Sequence, residues 1–160
     1  MIKLNINKMR SSVPFLFFAL FIVACSLNSE QEARLNESTN RFLTARKNGA
    51  VLMYVSMCHP EVIRHFKEQS DSSFMKKFDL LPKNYELNDA SIETIEKDRG
   101  EIHVLYQCKE VESAFGSTSE GGFRFVAMSS DDGQHWLYVE YEDYVDKSIA
   151  PKMKRLIEVK

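Results

Sequence analysis

Near residue 85 the apolar residues of this 160-residue chain change period, and that change limits the folds open to it. Before it, Ala33, Leu35, Thr39, Phe42 and Leu43 recur near one face of a helix. Val62, Ile63 and Phe66 do the same, and then Phe74, Met75 and Phe78. The punctuation agrees with four helices. Ser29-Glu30-Gln31-Glu32 reads as a capping box and Gly49 as a stop. Residues 50–57 form a second short apolar stretch. Pro60 suits the first turn of a third helix, because His59 before it avoids the α region. Asp71 and Ser72 can cap a fourth, and Leu81-Pro82 closes the helical half. From Tyr85 the period is two, with candidate strands at 85–96, 101–112, 122–129 and 134–142. Asp98-Arg99-Gly100, the loop 116–121 and Asp132-Gly133 mark the turns. Helices followed by hairpin-linked strands predict an α+β fold: N-terminal helices packed on a curved four-stranded antiparallel sheet, with a short C-terminal helix after Pro151.

The last hairpin has the strongest local signal. In a type I′ turn at Asp132-Gly133 both central residues take φ > 0. The expected register then pairs Ser129 with Trp136, Ala127 with Tyr138, Phe125 with Glu140, Met128 with Leu137 and Val126 with Val139. It sorts the hairpin into an aliphatic face (Val126, Met128, Leu137, Val139) and an aromatic one (Phe123, Phe125, Trp136, Tyr138). The aliphatic face has no polar group to satisfy and is the expected seat of the helices. The aromatic face is then expected to be a contact surface covered by the C-terminal segment, a ligand or a second copy of the chain. The stretch Ser129-Ser-Asp-Asp-Gly-Gln-His-Trp136 also resembles the Asp-box of sialidase propellers. A propeller needs at least four blades, and this chain has one box, so the stretch reads as a turn. The oxygen ladder of a calcium loop is missing as well.

The N-terminus indicates a destination. Lys3, Lys8 and Arg10 precede an uninterrupted apolar run, 13–24, of 12 residues, where a membrane-spanning helix needs about 20. A short apolar run behind positive charges reads as the h-region of an export signal. It ends in Ile22-Val23-Ala24-Cys25, which resembles the bacterial lipobox. That resemblance implies that residues 1–24 are a signal peptide. It also implies that Cys25 carries the acyl chains (palmitate among them), that 25–29 is a short linker and that 30–160 is a single domain. Several acyl chains give a stable membrane anchor where one is marginal. Ser26 is not the inner-membrane retention Asp of the enterobacterial version, so the expected address is the outer membrane, facing the periplasm. An ordinary secretory signal that happens to be followed by a cysteine is the alternative.

Removing the leader takes away three of the 21 basic side chains and none of the 23 acidic ones, leaving 18 against 23 and a net charge of −5. That balance lacks the basic footprint of a nucleic-acid binder. Cys58 and Cys108 are the only other cysteines, and export to an oxidising compartment favours a disulfide between them, stabilising by about 4 kcal/mol in a chain-entropy treatment. Two separate buried thiols remain the alternative.

The His-Pro-Glu-Val-Ile segment from His59 and the hairpin Phe-Val-Ala-Met-Ser-Ser-Asp-Asp-Gly-Gln-His-Trp together resemble small exported proteins of the nuclear transport factor two-like, or cystatin-like, group. Ala150-Pro151 matches the Pro-containing C-terminal segment of several of them. The resemblance implies helices cradled by a curved sheet, often around a pocket, often dimeric through the sheet, in a subgroup without a common activity. Enzymes of that superfamily place an Asp base and a Tyr or acid donor in the pocket. Tyr54, Asp89, His103 and Tyr106 are the residues that could contribute here. His59, His65, His103 and His135 lack metal-ligand spacing, and no metal or other cofactor is expected. Lys147, Lys152, Lys154, Arg155 and Lys160 form a basic tail, suited to anionic headgroups or to the solvated side of a terminal helix. The expected function is a non-enzymatic, lipid-anchored binding domain of the cell envelope with a protein or small-ligand partner. The alternative is a cavity enzyme of the isomerase or cyclase type.

Overall fold

The first helix begins one residue earlier than its Ser-x-x-Glu signature suggests. Asn28 is the cap: its side chain accepts from the Gln31 amide, and the Gln31 side chain accepts from the Asn28 amide. Asn caps at least as well as Ser, and Gln completes the box as well as Glu. The computed structural model describes residues 26–79, 90–114, 117–149 and 151–158, excluding the side chains of 110–120. Helix α1 (Ser29–Lys47) ends at Asn48 and Gly49, whose φ of 62° is the left-handed stop that glycine supplies. Helix α2 (Val51–Met57) and helix α3 (Pro60–Gln69) meet at His59, which caps α3 ahead of Pro60. Helix α4 (Asp71–Phe78) is capped by Ser70. Among these residues no helix is long and apolar enough to cross a membrane.

The strands are β1 (Ser91–Asp98), β2 (Glu101–Ala114), β3 (Ser117–Ser129) and β4 (Leu137–Glu140), in the order β1-β2-β3-β4, all antiparallel. The α+β architecture is therefore as expected, with an open sheet. The expected start of the first strand at 85 lies outside the described residues. The outer edge of β4 is closed by the chain at Cys58-His59, where Cys58 bridges Tyr138 and the His59 amide donates to the Tyr138 carbonyl (2.9 Å). Edges left open invite further pairing.

The predicted register of the last hairpin holds at Phe125–Glu140, Val126–Val139, Ala127–Tyr138 and Met128–Leu137, but its turn is longer than two residues. The ladder stops at Met128–Leu137, and residues 130–136 form a loop. Asp132 and Gly133 do take φ of 57° and 82°. However, side-chain oxygens capture the amides a tight ladder would use. Asp131 Oδ1 accepts from Gln134 (3.1 Å) and His135 (2.9 Å), and Ser129 Oγ accepts from Gly133 (2.9 Å). The two-residue turn with two positive φ values occurs at Arg99-Gly100, between the paired Asp98 and Glu101.

The two faces of the sheet are the reverse of the sequence expectation. Phe123, Phe125, Trp136 and Tyr138 are at most 6% exposed and form one core with Leu35, Phe42, Tyr54 and Phe78 from the helices. They are the seat of the helices, not a contact face. A dimer through them would have no surface to use. The aliphatic face (Val126, Met128, Val139) packs with Val62, Tyr144, Met153 and Ile157 instead. The physical reason is volume: helices stand about 10 Å off a sheet, and large rings fill that gap better than Val and Met do. Phe42 stacks between Tyr54 and Tyr138 at ring-centroid distances of 4.8 and 4.3 Å.

The C-terminal helix, α5 (Tyr141–Val145), follows β4 directly, and 151–158 is irregular. Polar contacts hold that tail in place of helical ones. Arg155 donates to the carbonyls of Tyr144, Met153 (3.0 Å) and Asp146 (3.1 Å), and Lys154 pairs with Asp98 (2.8 Å) and Glu101. Among the described residues the tail is therefore not helical, and two of its basic side chains, Lys154 and Arg155, are engaged with the domain.

Candidate functional site

Of the residues that could serve a cavity enzyme, Tyr54 and Tyr106 lie in the ring-packed core and His103 on the opposite face; Asp89 lies outside the described residues. Tyr106 stacks on Phe125 at 4.9 Å, and its buried hydroxyl has no partner among the described residues. Burial raises its pKa. Tyr54 donates to Glu140 Oε1 (2.8 Å) and accepts from Arg46 (3.1 Å), and burial with the nearby Glu140 charge holds its proton on well beyond the ordinary range.

Tyr54 belongs to a charged cluster where α1, α2 and α4 meet β4 and α5. Glu140 accepts from Arg46 (2.6 Å), Tyr54 and Lys77 (2.9 Å), and Lys77 also lies 2.7 Å from Asp143 Oδ2. Lys77 thus bridges the two carboxylates. Burial alone would raise the pKa of Glu140, but Arg46 and Lys77 together bring it below the usual carboxylate value. For Asp143 burial prevails, and its pKa is raised. Arg46 also lies over the Phe123 ring at 4.1 Å. The cluster pins three helices to the end of β4. Of its members only Tyr54 stands among the sequence candidates. The register carried the signal: Glu140 opposite Phe125 places that carboxylate on the buried face.

Cys58 and Cys108 both lie buried in the same core, as separate thiols in place of the expected disulfide. Burial pushes the Cys58 thiol up to about 12, which leaves it little thiolate character.

On the other face His103 is buried against the tail. Its Nδ1 accepts from the Tyr144 hydroxyl (2.9 Å) and from the Leu156 amide (3.3 Å), and the Tyr144 oxygen accepts from the Ile157 amide (3.0 Å). An Nδ1 with two donors carries no proton, and burial lowers the His103 pKa to about 4. This His–Tyr pair clasps Leu156 and Ile157, and neither ring lines the groove beside it. His59 Nδ1 caps α3, His65 bonds Gln69 (2.8 Å) and His135 bonds Asp131 (2.6 Å). Among the described residues no three ligands come together for a metal.

Open space lies beside the clasp. A groove of about 440 Å³ runs between the tail (Leu156, Ile157, Glu158) and the uncovered part of β1 to β3 (Glu93, Thr94, Glu96, Leu105, Arg124), with Tyr141 at one wall. Arg124 lies over the Tyr141 ring at 3.9 Å and pairs with Glu93 (2.8 Å). Its size is that of a small-molecule or side-chain site. Leu105, Leu156 and Ile157 give the groove apolar lining, Glu93, Glu96, Arg124 and Glu158 give it charged lining, and no His, Cys or Ser is among the residues that line it. None of its residues stands among the sequence candidates, because only the path of the tail creates it. No protein-family model, curated protein or solved structure matches this chain.

Proposed function

We propose that this is a lipid-anchored protein of the cell envelope, held through Cys25, whose domain binds a partner or small ligand and does not catalyse. The observation that carries the reading is the distribution of space. The volume between helices and sheet, where a cavity enzyme of this layout would hold its acid and base, is filled by stacked rings. The open volume lies on the opposite face, in the groove by the tail. The buried His103–Tyr144 pair on that face is occupied with holding Leu156 and Ile157.

The anchor is tested with labelled palmitate and with Cys25→Ser. Label should enter the wild type only, and the variant should accumulate with its leader attached. A variant cleaved normally and released in soluble form would overturn the anchor. The groove is tested by complementation. Glu96→Lys with Glu158→Lys reverses its charge at two exposed positions, so the protein should remain abundant and anchored while failing to restore whatever deletion of the gene disturbs. Full restoration would remove the groove from the function.

A further inference from the structure

The anchor residue does not hang on a flexible tether. Only Ser26, Leu27 and Asn28 separate Cys25 from α1, a reach of about 10 Å even when extended. That short segment is tied to the sheet. Lys97 Nζ donates to the Ser26 carbonyl (2.6 Å) and to Gln31 Oε1 (3.4 Å). Gln31 Nε2 donates to the carbonyl and the carboxylate of Asp132 (3.1 and 2.9 Å), and the Asp132 amide donates to the Gly100 carbonyl (2.9 Å). The start of α1, the Arg99-Gly100 turn and the 130–136 loop therefore form one hydrogen-bonded end of the molecule, and the chain leaves toward Cys25 from that end.

The charges at this end are unequally engaged. Asp98 and Glu101 share Lys154, Asp131 holds His135 and two amides, and Asp132 holds Gln31. Arg99 projects instead, its side chain 93% exposed and 3.9 Å from its nearest carboxylate, Asp98.

We propose that the domain stands end-on against the bilayer, with the Arg99-Gly100 turn and the 130–136 loop at the headgroups and Arg99 facing their anionic phosphates. The inference rests on the lipidation of Cys25 proposed above. Helix α1, about 28 Å long, then carries the outer end of the domain away from the surface. Leu52, 89% exposed just beyond that helix, points into the aqueous compartment.

The test uses the full-length lipoprotein, purified with its acyl chains and placed in phosphatidylethanolamine–phosphatidylglycerol vesicles that also contain a nickel-chelating headgroup lipid. Spin labels are attached at Ser130→Cys or Leu52→Cys, the native Cys58 and Cys108 being buried. Relaxation enhancement by the headgroup nickel should be at least several-fold greater at 130 than at 52. Arg99→Glu should reduce it at 130 when phosphatidylglycerol is present and leave it unchanged in neutral vesicles. Equal enhancement at the two positions, or more at 52, would overturn the end-on arrangement. No effect of Arg99→Glu in anionic vesicles would overturn the role of Arg99. The mass of the Cys25 peptide is read on the same sample. A peptide without lipid overturns the anchor and this inference together, whereas lipid with equal enhancement overturns this inference alone.

Discussion

The two faces of this sheet are made by alternate residues of the same strands, yet they are closed in different ways. On the helix face Phe123, Phe125, Trp136 and Tyr138 share one core with Phe42, Tyr54 and Phe78, in which the Phe42 ring contacts both Phe125 and Tyr138, and a charged cluster around Glu140 locks the margin. On the tail face the side chains are aliphatic, the cover is Val62 of α3 with a five-residue helix and an irregular segment, and the fastening is hydrogen bonds to His103 and Tyr144. The first face buries the large surfaces that carry folding free energy. The second is only partly covered, and the remainder is the groove. Stability and accessible surface are thus divided between opposite sides of one sheet.

The contrast can be broken most sharply at its centre. Phe125→Ala, at a fully buried ring stacked on Tyr106, should cost about 3–5 kcal/mol in urea unfolding, well above Val126→Ala on the neighbouring strand position of the other face. Similar losses at the two positions would mean that the faces share the load. Next is the margin of the helix face. Glu140→Ala leaves Arg46 and Lys77 without their main counter-charge and should cost about 3 kcal/mol. Denaturation midpoints of the single variants and of a Glu140→Ala, Lys77→Ala double variant would show whether the charges act as a unit.

The tail face should respond to pH. The folded pKa of His103 is lowered by burial to about 4 from an ordinary 6.5, so its contribution is complete above pH 6.5 and is lost as pH falls toward 4. Tyr144 donates to the ring, Glu101 favours its protonation, and Lys154 and His59 oppose it. The loss should reach about 2–3 kcal/mol between pH 7 and 4, measured as the difference in urea midpoint between wild type and His103→Gln. Parallel pH profiles for the two proteins would show that the clasp does not titrate. The smallest effect belongs to the end where the faces meet. Gln31→Ala removes half of the capping box and two bonds to Asp132, worth about 1–2 kcal/mol by thermal unfolding. A variant as stable as wild type would mean that Lys97 alone holds the entry to α1.

What the residues determined by themselves is local. Spacing and caps place four helices, with the first start moved only from Ser29 to an Asn28 cap, because both ends of a capping box lie within four residues. Alternation and the Asp132-Gly133 signal set the register of the last hairpin, because a strand has only two faces and one pairing sorts them. Which face would take the helices was not local. It depended on whether rings or aliphatic chains better fill the gap above the sheet, and the rings did. The Glu140 cluster joins Arg46 to Glu140 across 94 positions and the His103 clasp joins His103 to Tyr144 and Leu156 across 41 and 53, and no spacing rule spans such distances. Those contacts form only when the helices and the tail have docked, because a buried charge or amide takes whichever partner the packing brings within reach.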